Sequence, residues 1–262
     1  TSRDGASYTY AFQRQWMFYK TWGRLLYNPA TSDAFFIDTF EQRFPGHGKT
    51  LFEAQTKASR VPLIIASYMN ATWDFTLYSE GMLGFNDEPI VKLLSLKTIA
   101  NRTPMDPRYT SIKNYLDSGK KNSSEKITPV QLADSLYSFC NKSLAEVKII
   151  DSKENIDLLY EKSDIQAWSY LGLYFSHKLK AAVAYREYLN TTDKKHLNES
   201  ISWLEKATIA WRKLVEITMP VYNPVPLTSK ENTANGNLFH WSIVQQEVEA
   251  ELKWLTEMKQ LK

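Results

Sequence analysis

One cysteine, Cys140, stands in 262 residues, so no disulfide can form within the chain. Leu136 and Leu144 lie one helical turn to either side of it, and it reads as a small buried hydrophobe rather than a thiol prepared for chemistry. No apolar run approaches the length of a membrane-spanning helix. An excess of one charge is missing as well: 32 basic residues face 29 acidic ones, a formal net charge of +3. Such a balance lacks the basic footprint of a nucleic-acid binder. No phosphate-binding loop, dinucleotide glycine fingerprint, HExxH or CxxC occurs. The histidines, His47, His177, His196 and His240, do not fall at metal-ligand spacing. The expectation is a chain with no metal, no cofactor, no nucleic-acid partner and no membrane segment.

Aromatic side chains are abundant. They make up 13% of the residues, including 8 Trp and 15 Tyr. Most stand at helical spacing, which favours a core built from rings over a stacking surface. Residues 8–29 are the densest example. Phe12, Trp16, Tyr19, Trp22 and Leu26 step by three and four and share one face of a predicted helix. Gln13, Arg14, Lys20 and Arg24 fall mostly elsewhere on the wheel. Asn28-Pro29 ends the helix, because a residue before proline is pushed out of the helical region. The aromatic face predicts the hub of the fold, with Trp16→Ala costing about 3–5 kcal/mol if the ring is core. So dense a core helix at the start of the chain also raises the expectation of a removed upstream domain.

The remaining pattern is helical throughout. Thr31, Ser32 or Asp33 caps a second helix with Phe36, Phe40 and Phe44 as its stripe. A third runs from about Lys49 on Leu51, Ala54, Ala58, Val61 and Ile65, and Pro62 kinks or ends its first half. Short helices are expected at 89–96 and 109–116, with polar loops at 101–107 and 118–126. Thr128-Pro129 is a strong helix start, a capping hydroxyl with proline at the first helical position. Ala133, Leu136, Cys140, Leu144 and Val147 form the face that follows. A long helix opens at Asp151 or Ser152 and runs to Asn190 on Ile165, Trp168, Leu171, Phe175, Leu179, Ala182 and Tyr185. Another carries Leu197, Ile201, Leu204, Ala207, Trp211 and Leu214. The last carries Trp241, Val244, Val248, Glu251 or Leu252, and Leu255. No segment sustains period-two alternation. The fold class is therefore all-α, a multi-helix bundle with long antiparallel helices in its C-terminal half. The expected organisation is one helical domain over 1–262, with a sub-division at 1–120 and 127–262.

Residues 66–88 break this regularity. Trp73, Asp74, Tyr78 and Glu80 cluster there, and irregular, ring-rich, carboxylate-bearing segments are where sites tend to lie. Two carboxylates flanking a bond would make a glycosidase, one of them with a raised pKa. Spacing alone favours solvated carboxylates over a catalytic pair. The functional reading that remains is a binding site, with Trp73 and Tyr78 offering ring faces to a sugar and Asp74 and Glu80 accepting from its hydroxyls.

Three stretches carry a family resemblance. They are W-M-F-Y-K-T-W-G-R-L-L-Y-N-P at 16–29, I-T-P-V-Q-L-A-D-S-L at 127–136, and Y-L-G-L-Y-F-S-H-K-L-K-A-A-V-A at 170–184. The last is followed by A-T-I-A-W-R-K-L-V and F-H-W-S-I-V-Q-Q-E-V-E-A-E-L. Together they resemble the helical C-terminal region of bacterial α-glucuronidase-type glycoside hydrolases. There a W-Y-x-x-G-R-L-x-x-[ND]-P element opens the helical domain that follows a TIM barrel; Trp22, Gly23, Arg24 and Leu25 match it, with Gly23 allowing close helix approach. In that family the catalytic carboxylates lie on the barrel, so no catalytic residue is carried over. The resemblance implies an accessory domain, not catalytic by itself, that packs on an N-terminal catalytic domain. It also implies a periplasmic, cell-surface or secreted bacterial protein. Such a domain can form a homodimer and edge a cleft holding an oligosaccharide. The alternatives are a stand-alone carbohydrate- or protein-binding module, and a small self-contained enzyme using Asp74 and Glu80.

Overall fold

The computed structural model describes residues 8–69, 82–84, 92–121, 125–226 and 238–260. Helix α1 (Ala11–Arg14) stops at Gln15, and α2 (Trp16–Tyr27) resumes from there. Asn28 ends α2 in extended backbone ahead of Pro29, as the pre-proline restriction requires. Helix α3 (Asp33–Arg43) buries Phe36 and Phe40, with Phe44 buried just beyond it. Helices α4 (Gly48–Ala58) and α5 (Arg60–Met69) bury Leu51, Ala54, Ala58, Val61 and Ile65 along one shared stripe. The break falls at Ser59, ahead of Pro62. The proline sits in the first turn of α5, where a missing N–H costs no helical bond.

A two-residue antiparallel pair, β1 (Leu83–Gly84) with β2 (Lys92–Leu93), precedes α6 (Leu96–Asn101). Of the helix expected at 89–96, residues 89–91 lie outside the described residues, Lys92 and Leu93 are in β2, and the helix starts only at Leu96, where Ser95 caps α6 by accepting from the Thr98 N–H. Helix α7 (Ile112–Asp117) follows, capped in the same way by Ser111. Helix α8 (Pro129–Lys148) starts in a full capping box. Thr128 accepts from the Gln131 N–H, while the Gln131 side chain accepts from the Thr128 N–H.

Helix α9 (Ile156–Thr191) spans 36 residues, about 54 Å at the α-helical rise. It is buried on most of its circumference because α8 and α10 (Lys194–Thr218) line its flanks and α4 to α7 also reach it. Thr192, in the left-handed conformation at φ 58°, turns the chain, and Asp193 caps α10. A second minimal pair, β3 (Val225–Pro226) with β4 (Leu238–Phe239), leads to α11 (Trp241–Gln260), which packs on α10. The fold is all-α, with long antiparallel helices in the C-terminal half. Among the described residues no helix is long and apolar enough to cross a membrane.

Two apolar clusters lie along α9. The larger joins α5 to α11 around Tyr174, Phe175, Leu179 and Trp211. The smaller packs α2, α3 and α4 with Val147 and Ile150 around the C-terminal end of α8 and Leu158 and Ile165 in the N-terminal part of α9.

The expected role of residues 8–29 is reversed. Phe12, Tyr19, Trp22 and Leu26 are exposed, and Trp16 is only half-buried. The inward face of α2 is Met17, Thr21 and Arg24, the first of them buried and the others half-buried. Arg24 lies with its guanidinium carbon 4.8 Å from the centre of the Phe35 ring. Periodicity picks out residues that share a face. It does not say which face meets the bundle, and a stacked arginine satisfies an inward position as well as a ring does.

Candidate functional site

Trp73, Asp74, Tyr78 and Glu80, the sequence-predicted binding residues, lie outside the described residues. The described residues hold a different convergence of charge, rings and hollow space, where α1 and α2 cross the start of α9.

Arg14 is its centre. Its guanidinium is sandwiched between the rings of Tyr160 and Tyr222, at 4.4 and 4.8 Å. Its Nε and Nη2 donate to Asp164 Oδ2 at 3.2 and 3.0 Å. Nη2 also donates to the Tyr222 hydroxyl at 2.6 Å, which in turn donates to Asp164 Oδ1. Burial raises the Asp164 carboxyl above the ordinary carboxylate range, and Arg14 opposes the rise. One turn earlier on α9, Glu161 accepts at Oε1 from the Trp16 indole N–H at 2.6 Å. Glu161 is 6% exposed. Burial pushes its carboxyl up to about 7, against the indole hydrogen bond, and the Asp164 charge adds to the rise. Arg43 covers the far face of Trp16 at 4.6 Å and pairs with Asp157 at 3.6 Å.

Two cavities flank this cluster. One, of about 480 Å³, lies between α2, the end of α4 and α9, with Arg14, Gln55, Glu161, Asp164 and the Phe18 and Trp168 rings in its wall. The other, of about 630 Å³, lies on the other side of Trp16, against Tyr8, Phe12 and Arg43. A third hollow, an apolar groove of about 680 Å³, follows α2 along α3 and α4 and is lined by Phe18, Trp22, Leu25, Leu26 and Phe52 among others. It opens beside an exposed apolar surface: Phe18 is 62% exposed, Trp22 56%, Leu26 71% and Tyr27 84%.

Sequence reasoning passes over Arg14, Glu161 and Asp164. The signal is nevertheless present in the long-helix stripe. One turn before Ile165 and Trp168 stand Glu161 and Asp164, so two carboxylates occupy positions where the stripe calls for apolar residues.

A second buried ion pair lies deeper. Lys178 Nζ meets Glu251 Oε2 at 2.7 Å and Tyr174 Oη at 2.9 Å, with Lys178 fully buried. Burial lowers the Lys178 pKa and Glu251 opposes the change. Glu251 also accepts from the Leu96 N–H and Glu247 from the Leu93 N–H. These carboxylates tie the backbone around β2 and α6 to α11, which is a structural use. Cys140 is buried and its thiol is pushed up to about 12 by burial, which leaves it inert.

No protein-family model matches the chain, and no curated protein does. Among solved structures it is similar to a GH138 enzyme described as targeting the pectin rhamnogalacturonan II. The TM-score is 0.76 at 16% sequence identity, over 95% of this chain and 38% of that one. The chain thus spans less than half the length of that enzyme. At that identity the likeness establishes the fold, a helical bundle of a kind that occurs in a glycoside hydrolase.

Proposed function

We propose that this chain is a helical accessory domain of a glycoside hydrolase-like protein, docked through the outer face of α2 onto a catalytic domain that precedes it in the parent chain. The carrying observation is the uncovered row Phe18, Trp22, Leu26 and Tyr27. A large contiguous apolar surface on a globular domain marks an interaction site. The groove beside it would receive apolar side chains of the docked domain. The similarity to part of a longer glycoside hydrolase supports the same reading, since there the bundle occurs together with further chain. The finer relation to α-glucuronidases rests on the short match at Trp22, Gly23, Arg24 and Leu25, where Trp22 is exposed and an added Cβ at Gly23 would meet nothing within 4 Å, so the proposal is confined to the broader class. A bacterial periplasmic, cell-surface or secreted location belongs to the same proposal. A second reading, a stand-alone carbohydrate- or protein-binding module, is favoured by the stacked pair Phe18 and Trp22, with centroids 6.2 Å apart and an interplanar angle of 30°.

Oxidative footprinting separates the two readings. The polypeptide encoded by the whole reading frame and the 262-residue chain are labelled side by side. Strong protection of Phe18, Trp22 and Tyr27 in the longer protein alone is expected. Equal labelling in both, or a reading frame that supplies no further domain, would reject the docking reading and leave the binding module.

A further inference from the structure

The cavity beneath α2 differs from the groove outside it in bringing Arg14, Glu161 and Asp164 into its wall, although Gln55 and Ser59 line both. At about 480 Å³ it falls within the ~300–1,000 Å³ typical of small-molecule sites. Glu161 and Asp164 stand on its α9 side, Arg14 and Gln15 on its α1–α2 side, and Gln55 and Ser59 at the end of α4. Two buried polar atoms of these lining residues have no hydrogen-bond partner among the described residues: Arg14 Nη1 and Gln55 Oε1. A buried polar atom left unpaired costs free energy, so such atoms point to what a site is shaped to take. Arg14 Nη1 needs an acceptor, and Gln55 Oε1 needs a donor. A hydroxyl group is both. Glu161 is committed to Trp16 through Oε1, leaving Oε2 as a further acceptor.

Charge narrows the class of ligand. An anion entering here meets Glu161 and Asp164, and a cation meets Arg14, with Arg43 acting on Glu161 from the other side of Trp16. An uncharged molecule with several hydroxyl groups meets neither penalty. The Trp168 ring in the wall suits the C–H face of a pyranose. We infer that this cavity binds a neutral sugar ring, with adjacent hydroxyls directed at Arg14, Gln55 and Glu161. The inference does not rest on docking of α2, because every group it uses belongs to this chain.

The test uses the 262-residue chain and the methyl pyranosides of glucose, galactose, xylose and rhamnose. Binding is read by calorimetry and by tryptophan fluorescence, to which Trp168 in the cavity wall and Trp16 beside it should contribute. Saturable binding of at least one pyranoside is expected with Kd about 1 mM, the range of a few hydrogen bonds and one ring contact. Glu161→Gln and Gln55→Leu should each weaken it about tenfold, with the circular dichroism spectrum unchanged, and sodium glucuronate should bind more weakly than the neutral sugars. Gln55 is half-buried at the end of a helix, so Gln55→Leu decides the matter should Glu161→Gln not fold. Absence of saturable binding by every pyranoside overturns the inference. Binding that Gln55→Leu leaves unchanged also overturns it, since the sugar then sits elsewhere. Neither result bears on the footprint expected at Trp22 and Tyr27, which do not line the cavity.

Discussion

At Glu161, burial and a single indole donor act in opposite directions on one carboxyl group. Burial wins, and the folded protein holds the proton up to about 7 against an ordinary value of 4.5. A carboxyl that is easier to protonate when folded favours the folded state below its unfolded pKa, and that contribution disappears as pH rises through the folded value. The difference corresponds to about 3 kcal/mol, from ~1.4 kcal/mol per pH unit of displacement. His177 works the other way. Burial, with Lys180 and Lys206 nearby, pushes it down to about 4, so its contribution is present above its ordinary 6.5 and lost as pH falls. The two slopes oppose one another between these limits, and a single pH series on the native chain would blur them. Denaturant titrations of Glu161→Gln against the native chain separate them. The variant should lack the loss of stability between pH about 4.5 and 7, and an unchanged difference across that range would mean that Glu161 ionises freely. The same residue shows how much of the site is legible in the sequence. The stripe of α9 identifies the face on which Glu161 lies, but that the face is closed by Trp16, 145 residues away, is a long-range fact.

At the scale of elements, α8 and α9 approach closely where small residues allow it. A Cβ added at Gly172 would meet Cys140 Sγ at 2.4 Å and Val61 Cγ2 at 2.8 Å. Serines fasten the contacts nearby: Ser176 donates to the Ala133 carbonyl at 2.7 Å, Ser143 to that of Ala54 at 2.9 Å, and Ser200 to that of Ala181 at 2.8 Å. Alanine has the better helix propensity, by about 1 kcal/mol. Overpacking outweighs it, so Gly172→Ala should destabilise the chain by about 1–3 kcal/mol. Cys140→Ala removes the nearer obstacle, and adding it should recover part of that loss. Strict additivity of the two changes in urea titrations would mean that the helices separate freely. The i−4 and i+4 leucines mark Cys140 as a buried hydrophobe, and it is one. Its role as the partner of Gly172 depends on the crossing point, which no local pattern encodes.

Taken whole, the molecule keeps its aromatic wealth in two places. The core rings, Tyr174 and Trp211 among them, hold α9 and α10 together at a centroid distance of 4.7 Å. The rings of α2 beyond Trp16 stand outside. This division predicts unequal costs for like substitutions. Trp16 packs edge-on against Phe40 at 5.2 Å and donates its indole N–H to the buried Glu161, so Trp16→Ala should cost about 3 kcal/mol. Trp22→Ser combined with Leu26→Ser should leave the stability of this chain within about 0.5 kcal/mol. A larger loss in thermal or denaturant melts would place those side chains in the core after all.

Sequence alone determined the helical class, the capped start of α8, and the buried stripes of α3, α4, α8, α9 and α10. Each depends on contacts within a few residues: a hydroxyl at a helix start, or apolar side chains recurring every three or four positions. Tertiary structure decided which side of α2 meets the bundle, that Met17 and Arg24 rather than Trp22 and Leu26 turn inward, and that Arg14, Glu161 and Asp164 close on one cavity. The reason is physical. Amphipathicity records that a face is apolar, whereas burial depends on what the rest of the chain brings against it.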